Sequence, residues 1–138
     1  SLAREKSLFC FQTLSWFVLM KVEELSIKDI EQLVELERLC FATPWTQEQF
    51  SLCLAQEHFY VFGLKSGNRL MGYISFFLVG KEMEILNLAV HPEKRRQGLG
   101  TKLLTAALNF FRRKQGEKIF LEVRPSNVPA LTLYKRAG

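Results

Sequence analysis

The chain has 138 residues, of which 48% are hydrophobic and 12% aromatic, and its formal net charge is +5. This length suits one domain with one core, and the apolar content excludes a disordered chain. Three widely spaced cysteines without a CxxC pair, Cys10, Cys40 and Cys53, argue against a disulfide framework or a zinc site. They favour a reducing, cytoplasmic compartment, in which each cysteine is a small buried hydrophobe.

Residues 1–19 differ in character from the rest of the chain, since a basic stretch is followed by a mostly apolar run. The layout resembles a weak signal peptide, but no small-x-small cleavage site follows and the run is too short to span a bilayer. We expect residues 1–19 to be a leader or an extension that packs on the core, and a targeting segment stays open as an alternative. A self-contained domain pattern covers residues 20–138.

Hydrophobic periodicity and turn residues predict an α/β fold. In chain order, the predicted elements are a strand at 20–25, a helix at 26–41, a short helix in the segment 43–56 that restarts at Thr46 after a break at Pro44, strands at 59–64, 70–79 and 83–90, a helix at 100–116, a strand at 118–123 and a helix from 127. Short turns between the three middle strands predict an antiparallel meander. The strand–helix–strand unit that follows predicts a right-handed βαβ crossover with parallel pairing.

Local signals set the ends of the predicted helices. Ser26 with Asp29, and Thr46 with Gln49, form two plausible capping boxes. Gly116 is expected to end the helix at 100–116, whose apolar face comprises Leu103, Leu104, Ala107, Leu108 and Phe111.

The segment HPEKRRQGLGTK lies between the strand at 83–90 and the next helix, and it contains Arg95-x-x-Gly98-x-Gly100. Glycines at a helix start let backbone N–H groups approach a ligand, and the helix dipole with Lys94 and Arg96 favours anions. This pattern predicts a diphosphate site. It is neither a Walker P-loop nor a Rossmann fingerprint, and a structural turn with a basic face stays open.

Glu122 stands in the apolar run IFLEV at 119–123. Ile119, Phe120 and Leu121 are typical of a buried strand, in which a carboxylate is costly unless it is paired, hydrogen-bonded or protonated. Glu122 is therefore a catalytic candidate, while pairing with Arg124 or simple solvation is the alternative.

Three segments resemble one enzyme family. ILNLAVHPEKRRQGLGTKLL resembles motif A of the GNAT superfamily of N-acetyltransferases. The segments at 41–46, 87–100 and 121–138 together resemble its RimI-type branch, which acetylates the alanine amine of a small-subunit ribosomal protein. The resemblance spans 20–138, and because the family continues with two further strands, we expect this domain to be truncated before them.

The resemblance implies acetyl-CoA as the donor, bound where the strands at 83–90 and 118–123 splay apart, and it implies no metal. The residues it assigns to the pantetheine arm and thioester are Leu88, Ala89 and Val90. The residues it assigns to the diphosphate are Arg95, Arg96, Gln97, Gly98, Leu99, Gly100 and Thr101. Asn127 matches a cofactor-contacting residue, although a helix cap is its ordinary role.

For the chemistry, the resemblance implies that Glu122 is the general base and that Tyr134 is the acid for the leaving thiolate. Without this context Tyr134 is a core aromatic residue. Pro44 and Trp45 match part of a peptide-binding wall, although a buried Trp that closes the core is an equal alternative. His58 and His91 are expected to be surface or loop residues without a role.

The expected acceptor is a protein N-terminus, and the acidic residues of the helix at 26–41 suit a basic peptide. We expect no direct nucleic-acid contact, no membrane contact, and a monomer or weak dimer. The alternatives are a GNAT enzyme for a small-molecule amine or lysine, a non-catalytic CoA- or nucleotide-binding module, and a nucleic-acid binder that uses residues 61–138, which hold fourteen Lys and Arg against five Asp and Glu.

Overall fold

The computed structural model describes residues 20–121, and the predicted elements beyond Leu121 lie outside this range. The strands are β1 (Lys21–Glu24), β2 (Phe59–Ser66), β3 (Arg69–Val79), β4 (Glu82–Val90) and β5 (Lys118–Leu121). The helices are α1 (Ile30–Cys40), α2 (Gln47–Leu54) and α3 (Leu99–Arg113), with 3-10 turns at Ile27–Asp29 and Pro92–Lys94. The predicted α/β fold is confirmed.

The five strands form one mixed sheet in the order β1-β2-β3-β4-β5. The first three pairs are antiparallel and β4 pairs with β5 in parallel, so the predicted meander and crossover are both present. Gly67 and Gly80 occupy the first position of the two-residue turns, with φ of 61° and 60°. A positive φ at the first position, without one at Asn68 or Lys81, is the geometry of a type II′ turn, which matches the twist of the strands.

Helices cover both faces of the sheet. Alternate residues of β3 separate the two cores: Tyr73 packs with α1 and α2, whereas Ile74 packs with α3. The first core is closed by Leu33 and Phe50, which are fully buried. The carboxyl end of β4, at Val90, lies between these two helical layers.

Both predicted capping boxes are formed. Thr46 accepts from the Gln49 amide at 3.2 Å and the Gln49 side chain accepts from the Thr46 amide at 2.8 Å, so α2 begins as predicted. The Ser26–Asp29 box caps the 3-10 turn at Ile27–Asp29, and α1 begins only after that turn.

The end of α3 differs in detail from the prediction. Gln115, with φ of 57°, adopts the left-handed conformation, and its amide and that of Gly116 bond to the carbonyls of Arg112 and Phe111. This is the hydrogen-bond pattern of a Schellman motif. Gly116 is required for another reason, because a Cβ there would lie 2.0 Å from the Phe111 ring.

The apolar residues of β5 are not buried as their sequence predicted. Ile119, Phe120 and Leu121 are 37%, 52% and 50% exposed. Among residues 20–121, β5 pairs with β4 alone.

Within the described range, no helix is both long enough and apolar enough to cross a bilayer.

Candidate active site

A tight loop joins β4 to α3 and brings the predicted diphosphate residues together. Two residues of this loop, Arg96 and Gly98, have positive φ values of 65° and 80°. Glycine adopts this backbone readily, whereas a side chain at the same φ costs roughly 1–2 kcal/mol. The loop therefore turns sharply so that α3 starts directly at Leu99.

The first turn of α3 is suited to an anion. Gly98 is the N-cap and supplies no side-chain hydrogen bond, and the first turn contains no acidic residue. Leu99 is buried and anchors the turn in the core, whereas Thr101 is exposed. The N–H groups at a helix start have no partner within the helix, so this uncapped turn presents donors and a positive dipole end.

The two arginines of the loop, Arg95 and Arg96, have different surroundings. Arg95 is half-buried and its Nε donates to the Val90 carbonyl at 3.1 Å, which ties the loop back to β4. Arg96 and Gln97 are exposed on the outer side of the loop. Arg96 is thus the better placed of the two arginines to reach a diphosphate in solvent.

The end of β4 carries the three residues assigned to the pantetheine arm. The His91 amide donates to the Met71 carbonyl at 2.7 Å. This bond shows which residue pairs of the antiparallel β3–β4 ladder are hydrogen-bonded, because bonded and non-bonded pairs alternate. Ala89 pairs with Tyr73 in this register, so its backbone faces β3. Leu88 and Val90 alternate with it and direct their backbone groups to the opposite edge, which is the β5 side.

The described pairing of β4 with β5 runs only from Glu82 to Ile85 on β4. Leu88 and Val90 lie beyond this stretch, on the same edge and next to the loop. This is the location that the resemblance assigns to the thioester. Glu122, Tyr134 and Asn127 lie outside the described residues, so their roles stay predictions.

The thiols of Cys40, which contacts the end of β4, and of Cys53 on α2 are not activated as nucleophiles. Cys40 is half-buried and donates to the Val90 carbonyl at 3.4 Å. Burial raises the pKa of its thiol, although the Arg95 guanidinium acts in the opposite direction. Burial also raises the pKa of the half-buried Cys53. Both thiols therefore stay protonated at neutral pH, as expected for packing residues.

The two histidines were predicted to be surface or loop residues. His58 is exposed, as predicted. His91 is a loop residue, as predicted, but it is buried rather than exposed at the surface: it is 7% exposed, and its Nδ1 accepts from the Glu93 amide at 3.2 Å. His91 caps the 3-10 turn at Pro92–Lys94, which holds the loop onto β4.

Sequence reasoning missed a buried carboxylate on the face of the sheet that α1 and α2 cover. Glu37 is 0% exposed on α1 and accepts from the Tyr73 hydroxyl and from the Trp45 amide. Its position on the apolar stripe with Leu33 and Val34 was the available signal. Trp45 itself is half-buried, between the two predicted alternatives, and its ring packs on Phe50.

Among residues 20–121, no group of three or more His, Cys, Asp or Glu is arranged to hold a metal ion.

Comparison with known proteins decides the family. The model of the acetyltransferase (GNAT) family matches residues 30–138. The chain belongs to this family. As a GNAT acetyltransferase it uses acetyl-CoA as its acetyl donor, and the uncapped, acid-free start of α3 fits the diphosphate of that donor.

Relatives of this acetyltransferase confirm its predicted RimI-type branch. It is 34% identical over 120 residues to a Bacillus subtilis (strain 168) protein provisionally named a ribosomal protein bS18-alanine N-acetyltransferase, covering 85% of the chain and 78% of the relative. It is also 34% identical over 120 residues to the N-alpha-acetyltransferase RimI of Mycobacterium tuberculosis, covering 83% and 74%.

A solved structure agrees with the fold of this acetyltransferase. The ribosomal-protein-S18-alanine N-acetyltransferase of Escherichia coli superposes with a TM-score of 0.79 at 28% identity, covering 87% of this chain and 77% of that structure.

Proposed function

We propose that this acetyltransferase transfers the acetyl group of acetyl-CoA to the N-terminal alanine amine of a protein in the cytoplasm. The proposed acceptor is a small-subunit ribosomal protein. The relatives support it, because the Bacillus subtilis and Escherichia coli proteins are named for this acceptor.

The donor side of the proposal rests on one feature, the junction of β4 and α3. In the proposed complex, the diphosphate lies on the first turn of α3 beside Arg96, and the pantetheine arm runs along the edge formed by Leu88 and Val90. A backbone N–H on this edge would polarise the thioester carbonyl and stabilise the oxyanion that develops on it.

In the proposed reaction, the acceptor amine attacks the thioester carbon, an N–C bond forms and the C–S bond breaks. A protonated amine cannot attack, so Glu122 removes its proton, directly or through water. Tyr134 gives a proton to the departing thiolate. Both roles are taken from the family resemblance residue by residue.

The acceptor side is supported by charge. Glu31 and Glu35 on α1 and Glu48 on α2 are exposed carboxylates on the helical layer that carries Trp45. A peptide that begins Ala-Arg has two positive charges before its amine is deprotonated, so this surface favours its approach.

A panel of peptides that differ only in the first residue tests the acceptor. We expect kcat/KM for an Ala-Arg peptide to exceed those for otherwise identical Ser-, Gly- and Met-starting peptides by about tenfold or more, because a small pocket discriminates by methyl-sized differences. Coenzyme A release is measured for each peptide, with a peptide-free reaction as the control for hydrolysis. Equal rates across the panel, or a faster reaction with small-molecule amines, would favour the broader alternatives.

A further inference from the structure

Glu37 is the most thoroughly buried carboxylate of the described chain, and it lies outside the proposed reaction centre. A carboxylate with 0% exposure is costly unless its oxygens accept hydrogen bonds. One oxygen accepts from the Trp45 backbone amide at 3.0 Å and the other from the Tyr73 hydroxyl. Glu37 therefore joins three separate segments: α1, the loop at 41–46 and β3.

Aromatic contacts reinforce the same connection. The Trp45 ring lies 5.3 Å from that of Phe50, and the Phe50 ring meets Tyr73 edge-on at 6.0 Å. Trp45 is thus held by its backbone to Glu37 and by its ring to Phe50. The loop at 41–46 has a defined position relative to the sheet for this reason.

The sheet residue in this network is adjacent to the proposed thioester edge. Tyr73 pairs with Ala89, which lies between Leu88 and Val90. One turn after Glu37 on α1, Cys40 bonds to the Val90 carbonyl. The same face of α1 therefore contacts both the Trp45 loop and the end of β4.

We propose that Glu37 is a positioning residue that sets the distance between the Trp45 loop and the end of β4 and thereby determines how tightly the acceptor peptide binds. This proposal rests on the proposed function, since it takes the Trp45 loop as the peptide side of the site. Glu37 acts through the directions of its two oxygens rather than through its charge. A Gln side chain keeps both contacts with one of them reversed: its carbonyl accepts from the Trp45 amide, and its amide donates to the Tyr73 oxygen, whose own hydrogen then turns away.

The test compares Glu37→Ala and Glu37→Gln with the parent and with Glu57→Ala, which removes an equal charge from a side chain that is 94% exposed. KM is measured separately for the Ala-Arg peptide and for acetyl-CoA. Emission of Trp45 is measured in a Trp16→Phe background, which leaves one tryptophan in the chain.

Glu37→Ala is expected to raise the peptide KM about tenfold while the acetyl-CoA KM stays within about twofold, and to shift Trp45 emission to the red. Glu37→Gln and Glu57→Ala are expected to match the parent in all three measurements. If Glu37→Gln behaved like Glu37→Ala, charge rather than direction would matter and the positioning role would be overturned. A parallel rise of both KM values, or an unchanged peptide KM in Glu37→Ala, would overturn it as well.

If Glu37→Ala does not fold, Tyr73→Phe takes its place, because it removes the hydroxyl that donates to Glu37 and keeps the aromatic ring. A raised peptide KM at constant acetyl-CoA KM is expected, and an unchanged peptide KM would overturn the proposal. Failure of the proposed function can be told apart from failure of the positioning role. A parent protein that does not acetylate the peptide contradicts the proposed function. In that case the Trp45 emission of the variants still tests whether Glu37 positions the loop.

Discussion

Glu122→Gln is expected to lower kcat about 100-fold or more, because general-base catalysis contributes roughly 10²- to 10⁴-fold and Gln cannot take the amine proton. The affinity for acetyl-CoA is expected to change by less than about twofold, since the substitution preserves size and leaves the diphosphate segment intact. Stopped-time assays with the Ala-Arg peptide give kcat, and titration of acetyl-CoA gives its Kd.

A pH profile sharpens this test of Glu122. With a carboxylate base, kcat/KM decreases as the pH is lowered and the base becomes protonated. Glu122→Gln is expected to abolish this decrease at low pH. Glu117→Gln is the matched control, because Glu117 is exposed and pairs with Lys81 at 3.1 Å on the surface. Unchanged turnover in Glu122→Gln would remove this residue from the mechanism.

Thr101→Asp is expected to weaken acetyl-CoA binding about 10- to 100-fold, because it places a negative charge in the first turn of α3 beside the proposed diphosphate. The same charge interacts favourably with the helix dipole. The free energy of unfolding should therefore stay constant or rise by about 0.3–1 kcal/mol. Loss of binding without loss of stability separates a ligand site from a structural turn.

Thr101→Asn serves as the uncharged control for this substitution, and it is expected to keep most of the affinity. Calorimetric titration with acetyl-CoA and urea unfolding give the two quantities. If Thr101→Asp bound acetyl-CoA as tightly as the parent, the diphosphate would have to lie elsewhere.

Local signals predicted the fold well because each acts over a few residues. The turn glycines at 67 and 80 and the Thr46–Gln49 capping box lie within a few positions of the structure that they define. The same holds for Gly98 and Gly100, which were expected at the start of a helix, because α3 begins at Leu99.

Features that depend on distant residues were missed or left open. The partners of Glu37 are 8 and 36 residues away, so its position on an apolar stripe could not reveal them. Which backbone groups of β4 face the β5 side depends on the register of β3 and β4, which sequence alternation does not specify. His91 was expected at the surface or in a loop; its loop position was predictable, but its burial depends on how that loop packs against β3.

The central claim, acetyl transfer to an N-terminal amine, is tested most directly with two peptides of one sequence that begins Ala-Arg and contains one lysine. One peptide has a free α-amine and the other is already blocked there, and both are incubated with the protein and acetyl-CoA. Intact and tandem mass spectrometry then locate any added acetyl group. The account predicts one acetyl group on the alanine nitrogen of the free peptide and none on the blocked one. Equal acetylation of both peptides at lysine, or of neither, would contradict it.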